Sequence, residues 1–175
     1  MSIRNLIFVA ILGVAVAHPE TPRTTEKGQA RIVKEVRHEI LMLPYFGVFD
    51  NISFRVDGAK VILLGQVTRP TLKSDAQKAV QGIEGVEKVD NQIEVLPVSP
   101  NDDRLRIELY RAIYGYAPLE RYALPVIKPI RIVVRNGNVT LEGVVDKEGD
   151  KNLVNIRANG VPGVFSVTNK LSLDK

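Results

Sequence analysis

The sequence predicts an α+β protein made of two tandem copies of one unit, ordered helix, strand, strand, helix, strand. The first observation is an internal repeat: the stretch Val61–Val67 returns as Val139–Val145, 78 positions later, in a register that holds without a gap from Ile52 to Val95. The second is the spacing of apolar residues, which alternate with polar ones in the strand segments and follow helical spacing in the segments between the strands. A fixed repeat of this length indicates a duplicated structural unit.

The first 17 residues have the composition of an export signal. Arg4 precedes an apolar run, Leu6–Val16, and Ala15-Val16-Ala17 forms a cleavage site before His18. The alternative is a membrane anchor, but the run is shorter than the ~20 residues that span a bilayer. We therefore expect a cleaved signal, a periplasmic protein, and a flexible arm over residues 18–27.

The first unit begins with an amphipathic helix, which we expect to end at Pro44. Its apolar stripe consists of Ile32, Val36, Ile40 and Leu43. The turn after it, Tyr45–Phe49, is apolar and uncharged. This composition predicts that the turn packs inward or against the second unit.

Two strands joined at Asp57-Gly58 follow the turn. Their inward residues alternate as Ile52, Phe54, Val56, Val61, Leu63 and Val67. Gly65 lies on that same face, which predicts that a helix crosses close to the strand there.

A second helix, from about Thr71 to Gln81, is expected to end at Gly82. A third strand then alternates through Val89, Asn91, Ile93 and Val95. This order of elements places two helices on one face of a small three-stranded mixed sheet.

The expected boundaries are residues 28–96 for the first domain, 97–101 for the linker and 102–175 for the second domain. Ser99 is placed to cap the next helix, with Pro100 at its first position. The second unit has five extra residues between its first helix and first strand, within Tyr114–Pro129.

Two motifs, V-x-L-x-G-x-V and G-x-x-G-V-x-x-V-x-N, occur in both units, in the second at Val139–Val145 and Gly160–Asn169. With the Asn-Gly turn before them, they resemble the BON domain of bacterial envelope proteins over about residues 28–173. The first unit departs from the pattern, because Asp57-Gly58-Ala59-Lys60 replaces the shorter Asn-Gly turn. Two tandem copies behind a signal resemble the hyperosmotically inducible periplasmic proteins of that family.

The resemblance implies a non-enzymatic protein without a cofactor, acting in envelope integrity or osmotic stress, commonly through phospholipid binding. The residues agree with this expectation. The chain has two histidines and no cysteine, so it lacks the usual nucleophile–base pairs and metal-ligand clusters. His38, on the first helix among charged residues, is expected to be a solvated surface residue.

Charge is unevenly divided between the units. Residues 28–97 carry nine basic and nine acidic side chains, whereas residues 98–175 carry twelve basic and nine acidic ones. Arginines beside tyrosines suit an anionic lipid surface. The candidate lipid-binding residues are Arg104, Arg106, Arg111, Tyr114, Tyr116, Arg121 and Tyr122. The alternative is a solvated helix face, with tyrosines closing a proline-rich loop over the core.

A second hypothesis is a protein-interaction or self-assembly module of the envelope. Ile62 and Leu64 make the second strand of the first unit apolar on both faces, where the second unit has Thr140 and Glu142. This asymmetry predicts that the outer face of the first sheet is covered by the other domain or by a partner. Nucleic-acid binding ranks third, because export separates the protein from that ligand, and a hydrolase ranks last.

Overall fold

The computed structural model describes residues 26–174, which form two α+β domains. The predicted export signal and residues 18–25 of the predicted arm lie outside the described residues. The elements of the first domain are α1 (Glu26–Leu41), β1 (Asn51–Asp57), β2 (Lys60–Val67), α2 (Pro70–Gln81), β3 (Lys88–Asn91) and β4 (Glu94–Val95). Those of the second are α3 (Pro100–Tyr114), a 3-10 helix (Ala117–Ala123), β5 (Ile130–Arg135), β6 (Asn138–Val145), α4 (Glu148–Asn159), β7 (Ser166–Asn169) and β8 (Ser172–Leu173).

The two sheets have the same mixed topology, and the predicted fold class is confirmed. In the first sheet β2 is central, pairing antiparallel with β1 and parallel with β3 and β4. In the second sheet β6 has the same place, between β5 on one side and β7 and β8 on the other. β1 and β5 are therefore edge strands.

Each domain has its own apolar core between its sheet and its helices. In the first domain α1, β2 and α2 contribute Ile32, Val36, Ile40, Val61, Leu63, Val67, Leu72, Ala76 and Val80. In the second domain the corresponding elements contribute Leu105, Leu109, Ile113, Val139, Leu141, Val145, Val154 and Ala158. Both helices of a domain therefore cover the same face of its sheet. Burial of these side chains, at about 25 cal/mol per Å² of apolar area, stabilises each domain separately.

The third strand of each unit is broken in two by an asparagine. Asn91 donates from its side chain to the Lys73 carbonyl, 2.8 Å away, and accepts the amide of Ile93 at 3.2 Å. Asn169 repeats the first of these bonds with the Lys151 carbonyl, at 3.0 Å. The repeated asparagine thus fastens the last strand to the second helix of its domain.

The two repeated strand glycines are required by the neighbouring strand, so the prediction of a close helix crossing at Gly65 was wrong. Gly65 has a φ of +117°, and a Cβ atom there would overlap the backbone oxygen of Asn51, at the start of β1. Gly143 has a φ of +118° and would overlap the backbone oxygen of Pro129 in the same way. Only glycine combines this backbone conformation with so close an approach.

The hairpin turns of the two domains have the same length, which corrects the expectation of a shorter turn in the second. Asp57 pairs with Lys60 around Gly58 and Ala59, and Arg135 pairs with Asn138 around Asn136 and Gly137. In the second domain both central residues have positive φ, 50° at Asn136 and 74° at Gly137. That is the type I′ turn favoured by the twist of paired strands.

The five extra residues of the second unit belong to a connection that contains the 3-10 helix Ala117–Ala123. Leu119 and Tyr122 from this helix are buried and join the second core. The first domain has no such element between α1 and β1. The connection therefore enlarges the apolar core of the second domain and has no counterpart in the first.

The turn after α1 contacts the second domain as well as the first. Phe46 packs on the first core, whereas Val48 and Phe49 pack on the second. The amide of Ile132, on the edge strand β5, donates to the Val48 carbonyl at 2.9 Å. Arg131 donates to the Gly47 carbonyl at 2.8 Å. This turn therefore joins the domains by lying along β5.

The sheet faces directed away from the helices also meet between the domains. Leu96 and Val133 are buried but belong to neither core. With Gln66 and Thr140 they line a cavity of about 400 Å³. An ion pair between Arg135 and Glu94, at 2.7 Å, closes one side of the contact.

Candidate functional site

Arg106 is inside the second domain, although the sequence suggested it as a lipid contact. Its side chain is 4% exposed, donates to the Val134 carbonyl at 2.7 Å and forms an ion pair with Asp103. One of its nitrogens, Nε, is buried without a hydrogen-bond partner. Arg106 therefore stabilises the end of β5 and is not available to a membrane surface.

Tyr114 and Tyr122 are also buried, so neither ring can lie at a headgroup level. The Tyr114 hydroxyl donates to the Ile130 carbonyl at 2.6 Å and accepts the Ile130 amide at 3.2 Å. The Tyr122 hydroxyl donates to Asp150 at 2.7 Å and accepts the Asp146 amide at 2.9 Å. These tyrosines close the connection over the core, as the alternative interpretation of the sequence proposed.

Arg121 and Tyr116 are partly accessible but already engaged. Arg121 forms an ion pair with Asp146 at 2.9 Å and another with Asp150. The Tyr116 ring is half-buried beneath the guanidinium of Arg157, whose central carbon is 4.8 Å from the ring centroid. Both residues hold the 3-10 connection and α4 together, which leaves little charge free for a ligand.

We expect Tyr114→Phe to make the protein less sensitive to alkaline pH. Burial raises the pKa of Tyr114 above its ordinary 10.0, so above pH 10.0 the unfolded chain loses this proton while the folded chain keeps it. The contribution of Tyr114 to the free energy of unfolding is therefore fully present below pH 10 and decreases as the pH rises. At pH 11 the decrease is about 1 kcal/mol. Urea unfolding at pH 8, 10 and 11 should show a shallower fall in the variant. Equal alkaline slopes in both proteins would contradict this assignment.

The exposed candidates are Arg104 and Arg111, and both lie beside α4. Together with Ile156 and Arg157 of that helix they line a cavity of about 430 Å³ between α3 and α4. Residues Arg104, Ile107, Glu108, Arg111, Ile156 and Arg157 are named the α3–α4 surface below. Sequence reasoning did not single out Arg157, and the structure places it on α4 beside Ile156, which is 64% exposed.

The α3–α4 surface is positively charged on balance. Arg104 pairs with Glu108 at 2.7 Å, and Arg157 donates from Nε to the Ala112 carbonyl at 3.0 Å. The Arg111 side chain has no ion-pair or hydrogen-bond partner within residues 26–174. Ile107 is exposed on α3 and, by helical spacing, lies between Arg104 and Arg111. Three guanidinium groups and one carboxylate thus surround exposed apolar side chains.

The predicted interaction face, Ile62 and Leu64, lies on β2 away from the helices. Ile62 is 7% exposed although it belongs to neither core, and Leu64 is half-buried. Ile62 is therefore covered within the chain itself. Ile62 therefore offers little surface to a second protein.

Within residues 26–174 no group of three histidine, aspartate or glutamate side chains is close enough to hold a metal ion. His38, the histidine of this part of the chain, is exposed on α1, and its side chain makes no hydrogen bond there. None of the helices in the described part of the chain combines the length and apolar character needed to cross a membrane.

Duplicated domains of this topology define a tandem-repeat α+β protein. The BON domain family matches residues 29–97 and again residues 119–175, and the chain belongs to that family. BON domains are known in envelope proteins and are generally non-enzymatic. No curated protein sequence matches the chain.

Two solved structures from Chlamydia trachomatis are similar to the chain. One is of CdsD, described as a structural protein of the type III secretion system, with 14% identity and a TM-score of 0.30 over 82% of this chain and 92% of that chain. The other is the C-terminal domain of CdsD, with 15% identity and a TM-score of 0.29 over 84% of this chain and 99% of that chain. Structural similarity at TM-scores this low supports no inference about function.

Proposed function

We propose that this protein binds anionic phospholipid headgroups at the cell envelope through the α3–α4 surface, and that it acts by binding and not by catalysis. The observation that carries the proposal is the position of Arg104, Arg111 and Arg157 around one cavity beside exposed isoleucines. The export signal expected at residues 1–17 supports a periplasmic location, where such headgroups are accessible. Membership of the BON domain family supports a role in envelope maintenance or osmotic stress.

The strength of this contact is expected to come mainly from charge. Each arginine near an anionic surface contributes about 1 kcal/mol, so three contribute roughly 3 kcal/mol before Glu108 is subtracted. Ile107 and Ile156 add apolar area that can enter the headgroup region. Binding of this size is reversible and depends on salt, because exposed charges are screened over about 10 Å at 0.1 M salt.

Charge reversal of Arg104 and Arg111 tests the proposal. The chain without residues 1–17 is sedimented with neutral vesicles and with vesicles that contain phosphatidylglycerol, at low and physiological salt. The native protein should bind only the anionic vesicles, and less at higher salt. The double variant Arg104→Glu, Arg111→Glu should bind at least about 30-fold more weakly, since two attractive charges are lost and two repulsive ones are added.

The matched control is the double variant Lys34→Glu, Lys78→Glu. It changes the net charge by the same amount, but both lysines are exposed on the helices of the first domain. It should keep most of the vesicle binding, which separates a local site from a general effect of net charge. Equal losses in the two double variants, or no binding by the native protein at low salt, would overturn the proposal.

A further inference from the structure

The edge strand β1 of the first domain has an open hydrogen-bonding edge. Asp57 and Lys60 flank the two-residue turn, so pairing with β2 alternates from there along the strand. The amides and carbonyls of Ile52, Phe54 and Val56 then point away from β2. Within residues 26–174 no other backbone or side chain forms a hydrogen bond with them. A row of unpaired groups of this kind is a template for another strand.

The second domain shows how the same edge is closed. On β5 the equivalent residues are Ile130, Ile132 and Val134. The Tyr114 hydroxyl bonds both the amide and the carbonyl of Ile130, the Val48 carbonyl accepts the amide of Ile132, and Arg106 donates to the carbonyl of Val134. Along β5 these four of the six outward groups therefore have partners supplied by the chain itself.

The first domain lacks the residues that close this edge. Along the two first helices, Val33 stands where the second domain has Arg106, and Leu41 stands where it has Tyr114, each 73 positions earlier. Neither valine nor leucine can donate or accept a hydrogen bond. The first domain also lacks the 3-10 helix that fills the space beside α3. The edge of β1 is left open by these differences between the two copies.

A groove runs beside this open edge, between α1 and β1. Its volume is about 480 Å³, and it is named the β1 groove; it is lined by Val33, Arg37, Ile40, Leu41, Phe46, Asn51, Ile52, Ser53, Phe54, Val56 and Arg131. Most of these side chains are apolar, two are arginines and none is a carboxylate. The lining therefore suits an apolar ligand that carries negative charge.

Arg131 is the more constrained of the two cations. It is half-buried, stacks over the Phe46 ring at 4.5 Å and donates to the Gly47 carbonyl, but it forms no ion pair within residues 26–174. Burial lowers the pKa of Arg131, because the charged form loses solvation, and the nearby Asp50 carboxylate offsets only part of that loss. Arg37 is exposed and likewise has no ion-pair partner in the described chain. Both guanidinium groups are therefore free to form an ion pair with an anionic partner.

We propose that the β1 groove binds an extended, acidic peptide segment of another protein, which adds as a strand to the edge of β1. Its backbone would pair with Ile52, Phe54 and Val56, its apolar side chains would enter the groove, and its carboxylates would meet Arg37 and Arg131. A lipid chain would fill the groove but has no backbone to pair with the edge. The pairing of the Val48 carbonyl with β5 shows that this fold accepts a polypeptide segment at the equivalent edge. This site is separate from the α3–α4 surface.

The test transfers the closing residues of the second domain to the first, in the variant Val33→Arg, Leu41→Tyr. The new side chains should bond the edge of β1 as Arg106 and Tyr114 bond β5, so the variant should fold. The probe is a fluorescein-labelled seven-residue peptide of alternating valine and glutamate, with binding followed by fluorescence anisotropy. The native protein should bind it, and the variant should bind at least about tenfold more weakly, because the Ile52 amide and the Ile52 and Val56 carbonyls at the edge are occupied.

Three controls isolate strand addition. The variant Lys34→Arg, Met42→Tyr places the same new side chains on exposed neighbours outside the groove and should bind as the native protein does. A peptide methylated on alternate backbone nitrogens should lose at least about tenfold, since it lacks the donors that pair with the edge. The variant Arg37→Glu should weaken binding of the glutamate peptide and strengthen binding of a lysine version. In the complex, hydrogen exchange of the Phe54 amide should slow.

Four outcomes would overturn the proposal. The first is no peptide binding by the native protein at about 1 mM peptide. The second is equal binding by the native protein and by Val33→Arg, Leu41→Tyr. The third is loss of vesicle binding in that variant without any peptide binding, which would assign the groove to a lipid chain. The fourth is a native dimer in sedimentation that this variant converts to a monomer, which would assign the edge to a second copy.

Discussion

Gly143→Ala is expected to lower the free energy of unfolding of the second domain by about 3–5 kcal/mol. A φ of +118° costs an L-residue roughly 1–3 kcal/mol. The added methyl group would also overlap the backbone oxygen of Pro129, directly before β5, and this backbone cannot move aside as a flexible side chain can. Because small domains are stable by only about 5–15 kcal/mol, much of the second domain should be unfolded under mild denaturant. Urea unfolding followed by circular dichroism measures the loss.

Gly149→Ala is the matched control for that substitution. Gly149 lies in the first turn of α4, and a Cβ atom there would contact nothing within 4 Å. Alanine should therefore stabilise the helix by about 0.5–1 kcal/mol, since it restricts the unfolded chain. Opposite signs of the change in the free energy of unfolding for the same glycine-to-alanine substitution would show that the structural position of the glycine decides the effect. A loss below about 1 kcal/mol for Gly143→Ala would contradict the close contact described for β5 and β6.

The architecture could be predicted from the sequence because the repeat and the alternation of apolar residues carry the same information. Val61, Leu63 and Val67 recur 78 positions later, and each copy lies buried on the central strand of its sheet. The wrong reason given for Gly65 shows the limit of such patterns. A glycine on a buried face indicates close approach, but the sequence does not say whether a helix or the neighbouring strand approaches.

The candidate site was predicted less well, because charge in a sequence does not reveal burial. Arg106 and Arg104 are two positions apart on α3, yet one donates to a backbone carbonyl inside the domain and the other is exposed. The acceptor that satisfies the buried Arg106 guanidinium is the Val134 carbonyl, on the edge strand β5, 28 residues later in the chain. Backbone carbonyls have no sequence signature, so only the fold could separate these two arginines.

Duplication followed by divergence accounts for why the two domains offer different surfaces. The second copy has its edge closed by Arg106, Tyr114 and the Val48 carbonyl, and it presents its cations on the helices instead. The first copy keeps an open edge beside a groove. The two proposed sites thus lie on different elements and are predicted to respond to different substitutions. Loss of vesicle binding without loss of peptide binding, or the reverse, would show that the two domains bind different ligands.

Asp102→Ala is expected to lower the free energy of unfolding of the second domain by about 3 kcal/mol. Asp102 is 1% exposed, and its carboxylate accepts the amide of Asn136 at 2.8 Å and the amide of Gly137 at 2.9 Å. Alanine would leave the Gly137 amide buried without a partner and would release the β5–β6 turn from α3. Hydrogen exchange of that amide should accelerate together with the loss measured by urea unfolding.

Gln29→Ala is the control for Asp102→Ala, because Gln29 occupies the equivalent position 73 residues earlier. Its side chain makes no hydrogen bond within residues 26–174, so the variant should lose less than about 0.5 kcal/mol. The two variants also separate stability from binding. Since Asp102 is buried, Asp102→Ala should bind anionic vesicles as the native protein does wherever it remains folded. Reduced binding by the fully folded variant would mean that the turn anchored by Asp102 takes part in the lipid contact, and the α3–α4 surface would then have to include that turn.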